Sequence, residues 1–252
     1  MKEETQVFVE EKPLRVSKSG RREVIGEQQG KSFYRSVKPD HIIQEFTAHA
    51  PENGKKRINT KDLCALRNDI SSYLFEYLNG FKIPTHFVSK LSETEMMIKQ
   101  TERVHITVKI FNYANGILVK RFGLKSGRAL EFPVIEHYYA CNGTLSWVNE
   151  YHLYMLGVLT PEEFKQINRI SSKTNAVLRG LCDRRQLLLA DLQLEFGRHK
   201  NQILLSDELS PLTCHFIDGG TNGQLEKDRF LLDRDDAFQS ISELRDRLKL
   251  KV

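Results

Sequence analysis

Residues 187–208 read LLLADLQLEFGRHKNQILLSDE, two apolar runs on either side of a polar turn. Along the first run Ala190, Leu192, Leu194 and Phe196 alternate with Asp191, Gln193 and Glu195. Successive side chains of an extended chain point to opposite faces, so this period of two predicts a half-buried strand. One face belongs to a core and the other carries carboxylates. If the turn is the five-residue stretch Arg198 to Gln202, antiparallel pairing sets Asp207 opposite Gln193 and diagonal to Glu195, within reach for sharing one hard cation. A turn one residue longer sends Asp207 to the core face. On pattern alone, a solvated acidic hairpin face and a metal site are both open readings.

The rest of the chain has an ordinary globular composition. Its 252 residues fit one large domain or two modest ones. With 40% hydrophobic and 28% charged residues, no apolar run approaches the roughly 18 residues of a bilayer span, so no membrane segment is expected. The opening segment, MKEETQVFVEEKPLRVSKSGRR, is acidic at once and lacks the apolar core of a secretory signal. A cytoplasmic protein is expected. Cys64, Cys141, Cys182 and Cys214 stand far apart without a CxxC pair, which argues against a zinc site and a disulfide framework and predicts buried free thiols. The net charge of +5 comes from scattered lysines and arginines. It mildly suits a phosphate-bearing ligand, and the absence of a basic stripe with interleaved aromatics argues against nucleic acid.

Strand-like and helix-like segments then alternate. Residues 1–20 are charged, poor in apolar periodicity, and read as a mobile tail or a loosely docked edge segment. REVIGEQQ, KSFYRSV and HIIQEFTA follow, separated by Gly30 and Pro39-Asp40, the pattern of an antiparallel meander. Thr60 is a candidate cap for a helix over residues 59–79, in which Leu63, Leu66, Ile70, Leu74 and Leu78 recur at helical spacing and predict packing on that sheet. PTHFVSKL, EMMIKQ and VHITVKIFN read as further strands, and the polar link Gln100 to Arg103 between the last two is a candidate interdomain hinge. The expected domains are therefore 21–102 and 103–252. Thr160, Pro161, Glu162 and Glu163 form a helix start, with a pattern running to about Arg185, and residues 235–250 read as a closing amphipathic helix.

Four blocks, in order, carry a resemblance. The acidic hairpin, LNGFKIPTHFV at 78–88, NGILVKRFG at 115–123 and LEKDRF at 225–230 resemble segments of the phosphoribosylaminoimidazole-succinocarboxamide synthases. These purine-pathway enzymes use ATP to join a carboxylate to the amine of aspartate. The resemblance runs from about Ile25 to Leu248. It implies an α+β fold with a small antiparallel-sheet lobe, a larger α+β lobe and ATP between them. Magnesium on the ATP phosphates is implied at Glu195 and Asp207, which favours the shared-face register. Lys99 and Lys31 match lysines that support or cover the phosphates, and Arg103 and Val104 match the strand that contacts adenine through its backbone. Lys99, Lys227 and Arg229 match residues of the reacting site, the last two on the substrate side. Lys120 and Arg121 keep the LVKR block beside the substrate pocket.

The departures gather on the acceptor side. Where the family has two arginines, a serine and a later arginine around the ribotide 5′-phosphate, this chain has Phe111, Tyr113, Ile117 and His215. Charge-assisted hydrogen bonds contribute roughly 1.5 to 3 kcal/mol each, so their loss predicts weak ribotide binding in the usual pose. HAPEN at 49–53 and ACNGTLSW at 140–147 also replace family loops, and Gln29 and Gln193 stand where the family has lysines. The favoured expectation is an ATP-dependent carboxylate-amine ligase with an altered, non-ribotide acceptor in specialised nucleoside or natural-product metabolism. A genuine purine-pathway synthase and a non-catalytic binding protein on the same fold are the alternatives. The partners expected are a small carboxylate and an amine such as aspartate, and a homo-oligomer is compatible with the sequence.

Overall fold

The computed structural model describes residues 23–28, 30–47, 61–141, 144–219 and 229–249. The tail, Gln29, Thr60, the HAPEN segment and Lys227 lie outside the described residues. The chain opens with strands β1 (Val24–Gln28), β2 (Lys31–Arg35) and β3 (His41–Phe46), the expected meander, followed by helix α1 (Lys61–Gly80). Strands β4 (Phe87–Lys90) and β5 (Glu95–Lys99) complete a sheet of order β1-β2-β3-β5-β4. Strand β6 (Glu102–Tyr113) then starts a second sheet, so the link is Gln100 and Thr101 and the expected boundary at 102 and 103 falls at the start of β6.

Helix α2 (Gly116–Phe122), strands β7 (Ala129–Cys141) and β8 (Thr144–Val148), and helices α3 (Glu150–Met155) and α4 (Pro161–Asp183) come next. Strands β9 (Leu187–His199), β10 (Gln202–Ser206) and β11 (Cys214–Asp218) and helix α5 (Ala237–Lys249) close the chain. The second sheet has the order β10-β9-β6-β7-β8, and β11 pairs with β9 beyond the end of β10. Helix α4 begins as its residues predict. Thr160 accepts from the Glu163 amide, Glu163 accepts from the Thr160 amide, and Pro161 occupies the first turn, where a missing N–H costs nothing.

The two sheets share one continuous apolar core, from Phe46, Leu74 and Met96 to Ile110, Leu194 and Phe196. They are joined through the backbone: the Leu205 amide donates to Pro84 (2.9 Å) and the His86 amide to Leu205 (2.9 Å). Helix α5, assigned from sequence to the larger domain, crosses back to α1, where Lys249 reaches Asp69 at 2.6 Å. Cys64, Cys182 and Cys214 are buried, and no helix among the described residues is long and apolar enough to cross a membrane.

The acidic hairpin departs from expectation in register. Its turn is the two residues Lys200 and Asn201, both at positive φ (47° and 63°), which is the left-handed geometry that matches the twist of the flanking strands. Ser206 therefore pairs with Glu195, one position away from the pairing that a five-residue turn sets. Continued as a strand, this register would carry Asp207 to the core face. Instead the strand ends at Ser206, and Asp207 adopts a φ of 69°. That break turns Asp207 to the side of Glu195.

Candidate functional site

The alternation in β9 appears in its burial. Ala190, Leu192, Leu194 and Phe196 are buried, while Asp191, Gln193 and Glu195 are partly open. The open face runs past two adjoining spaces. A cleft of about 250 Å³ lies between the first hairpin and the link to β6, lined by Ile25, Phe33, Gln44, His86, Thr101, Arg103, Glu195 and Asp207. A larger cavity of about 410 Å³ is lined by Lys109, Phe111, Asn115, Ile117, Asp191, Gln193, His215 and Phe230.

At the cleft, burial and the neighbouring Asp207 carboxylate raise the Glu195 carboxyl above its ordinary range, against the pull of Arg103. Two carboxylates crowded out of water call for positive charge. Arg103 supplies part of it, 3.0 Å from Glu195. Lys31 supplies another part as the ion-pair partner of Asp207, but it is shared with Glu208 at 3.2 Å. Burial disfavours the Lys31 charge, but Glu208 and Asp207 outweigh it and raise its pKa. Glu208 in turn pairs with Arg67 at 2.7 Å and accepts from Ser210 at 2.6 Å. Among the described residues, no group of three or more His, Cys, Asp or Glu is arranged to hold a metal unaided.

Two buried polar atoms in the cleft lack partners, Gln44 Oε1 and His86 Nε2. Burial, with Lys31 and Lys99 nearby, drives the His86 pKa down to about 3, so the ring is neutral. Buried polar atoms are normally paired, so these two are open to a hydrogen-bonding group that enters the cleft. Lys99 stands beside the cleft with Nζ 3.4 Å from the Thr85 carbonyl. Val104 is buried in the core, and Gln100, Thr101 and Arg103 line the cleft next to it.

At the larger cavity, His215 Nδ1 lies 3.0 Å from Asp191, and Asn115 donates to the same carboxylate. Of the residues assigned from sequence to the substrate pocket, Phe111, Ile117 and His215 line this cavity, whereas Tyr113, Lys120 and Arg121 do not. A register irregularity between Phe111 and Tyr113 interrupts the strand face. Lys120 is exposed, and Arg121 turns to Glu136 and the Trp147 ring, 5.1 Å from its centroid. Arg229, expected at the reacting site, is engaged by Asp218 at 3.0 Å and by Glu243, and so anchors α5.

Arg67, Gln44 and His86 were not singled out by sequence reasoning. A signal existed for Arg67, which sits four residues after Leu63 on the buried stripe of α1, a costly place for a charge without a partner. Gln44 similarly interrupts the apolar run of β3.

The fold and these spaces can be compared with known proteins. The family model for SAICAR synthetase matches residues 27–248. A phosphoribosylaminoimidazole-succinocarboxamide synthase of Chlorobaculum parvum is 40% identical over 228 residues, covering 89% of this chain and 97% of that protein. One from Clostridium perfringens is 36% identical, covering 90% and 97% respectively. The crystal structure of the Ehrlichia chaffeensis synthase matches with a TM-score of 0.82 at 33% identity, covering 91% of this chain and all of that one. A SAICAR synthetase in complex with ADP matches at 0.81 and 30% identity, covering 90% and 97%. The match runs through both sheets and the carboxylate hairpin, and the chain belongs to the SAICAR synthetase family of ATP-dependent, amide-forming ligases.

Proposed function

We propose that the protein joins the amine of aspartate to a carboxylated aminoimidazole ribotide, with magnesium-ATP in the cleft and the ribotide in the larger cavity. The observation that carries this reading is the shared face of β9: Asp191 and Gln193 line one space and Glu195 the other. A nucleotide and a carboxylate held there meet at a single strand. The carboxylate oxygen attacks the γ-phosphorus, the β,γ-bridging bond breaks, and ADP leaves with the electron pair. The amine then attacks the acyl carbon and displaces phosphate, releasing a proton. Magnesium suits Glu195 and Asp207, because it uses one or two carboxylates together with substrate phosphate oxygens. Held there, it would neutralise charge at the transferring phosphoryl group. Gln44 and His86 offer buried polar atoms to the nucleotide, and ADP in a related structure supports the nucleotide reading.

The relatives named for the ribotide reaction span nearly the whole chain and support that acceptor over the altered one expected from the sequence. One observation favours the altered acceptor: Phe111, Ile117 and His215 wall the cavity, and Lys109 is the only fixed cation among its described lining residues. Aspartate-dependent ADP release decides between them when measured with the carboxylated ribotide and with its dephosphorylated nucleoside. A preference for the ribotide is expected. Equal or better turnover of the nucleoside would favour the altered acceptor, and absence of both ADP release and magnesium-ATP binding would favour a non-catalytic protein.

A further inference from the structure

On the open face of β9, residues two apart are spaced by about 7 Å, so Gln193 marks the step between Asp191 in the larger cavity and Glu195 in the nucleotide cleft. Directly across the ladder from Gln193 is Lys109 of β6. Lys109 also lines the larger cavity. Its Nζ lies over the Tyr138 ring, 5.1 Å from the centroid, and Glu136, its cross-strand neighbour on β7, is engaged by Arg121 and by the Tyr138 hydroxyl. Asp191, the acid that shares the cavity, is engaged by His215 and Asn115. The fixed cation of the cavity thus stands beside the crossing from acceptor to nucleotide. An aromatic face holds its ammonium without neutralising it.

We propose that Lys109 is a substrate-binding residue that receives the acceptor's carboxylate and holds it toward the γ-phosphoryl group. This rests on the assignment of the larger cavity to the acceptor. A carboxylate attacking a polyanionic phosphate meets charge repulsion, and an ammonium at the crossing offsets it. Because Lys109 and Gln193 are cross-strand partners with side chains on one face, the same charge can be supplied from either strand. The position of the charge matters more than the residue number that bears it.

The test is steady-state kinetics of the full chain with saturating magnesium-ATP and aspartate and varied carboxylated ribotide. Lys109→Gln should raise KM for the ribotide by about tenfold to a hundredfold, the range for losing a charge-assisted hydrogen bond, with KM for ATP unchanged. Lys109→Arg should keep most of the affinity. The double substitution Lys109→Gln with Gln193→Lys should recover it, which a merely structural role for Lys109 does not predict. An unchanged ribotide KM in Lys109→Gln overturns the inference, as does failure of the double variant to improve on the single one. If Lys109→Gln does not fold, the arginine and double variants carry the test, and weak binding by both overturns it. If the wild type does not turn over the ribotide, calorimetry with imidazole-4-carboxylate and magnesium-ADP separates the two ideas. Binding by wild type that is lost in Lys109→Gln keeps the inference while rejecting the ribotide reading. No binding by wild type, or equal binding by both, overturns it.

Discussion

Lys31, the first residue of β2, forms an ion pair with Asp207, the residue that follows β10. The contact ties the first hairpin to the end of the acidic hairpin at the cleft. Lys31 is only 4% exposed, and Glu208 is its second carboxylate partner. It does not line the cleft itself and acts on it through Asp207, while Glu208 ties it to the junction between the sheets. Lys31→Met should weaken magnesium-ATP binding and also lower the unfolding midpoint, since two buried or partly buried carboxylates lose a cation. Calorimetry and thermal unfolding on the same variant read the two effects.

Arg67 and Glu208 form the buried part of the same cluster. Burial disfavours ionisation of Glu208, but Lys31 and Arg67 overcome it and hold its pKa at about 2. A depressed carboxyl contributes stability in full above its unfolded value, about 4.3, and loses it as pH falls through the folded one. Acid unfolding should therefore steepen between about pH 4 and 2. Arg67→Met leaves Glu208 with less compensation and should destabilise the protein by about 3 to 5 kcal/mol at neutral pH, moving the acid midpoint upward. Urea unfolding across pH checks both.

Glu195 is the opposite case. Burial and Asp207 raise its carboxyl, so its ionised form opposes folding when nothing cationic is bound. Glu195→Gln should raise the unfolding midpoint of the ligand-free protein while abolishing the added stabilisation by magnesium-ATP. Thermal unfolding with and without the nucleotide measures this crossing of signs. A variant that unfolds earlier and still responds to nucleotide would overturn Glu195 as a magnesium ligand.

Gly197 lies opposite Arg103 in the ladder, next to the link between the sheets. A Cβ there would sit 2.5 Å from Thr101 Cβ and Oγ1. Gly197→Ala should cost about 1 to 3 kcal/mol by overpacking and raise KM for ATP, because Thr101 lines the cleft. Adding Thr101→Gly removes the clash and should recover the stability. Denaturant midpoints of the single and double variants give the comparison.

Lys200 and Asn201 form a turn that demands positive φ at both positions. Replacing the pair by Asn-Gly should stabilise the hairpin by about 0.5 to 1 kcal/mol. The ion pair of Lys200 with Asp40 is exposed on both sides and its loss should offset little of this. The denaturant midpoint should rise with turnover unchanged.

The local elements were legible because their causes are local. Alternation places Asp191, Gln193 and Glu195 on one face of β9 whatever the rest of the chain does, and the Thr160 to Glu163 box starts α4 by reaching across three residues. The order of the motifs also announced the family and its two-lobed fold. The tertiary structure decided what depends on distant partners. The two-residue turn shifted the hairpin by one register position, and only the left-handed backbone of Asp207 returned its carboxylate to Glu195. Arg67, Lys31 and Glu208 are far apart in sequence, so their shared burial follows from the docking of the first sheet against β10. The same holds for the bulge that separates Tyr113 from Phe111 and for the pairing of Lys109 with Gln193. Strand propensity is written along one segment, whereas register and the meeting of charges require that two segments pair, and pairing is an energy of the whole fold.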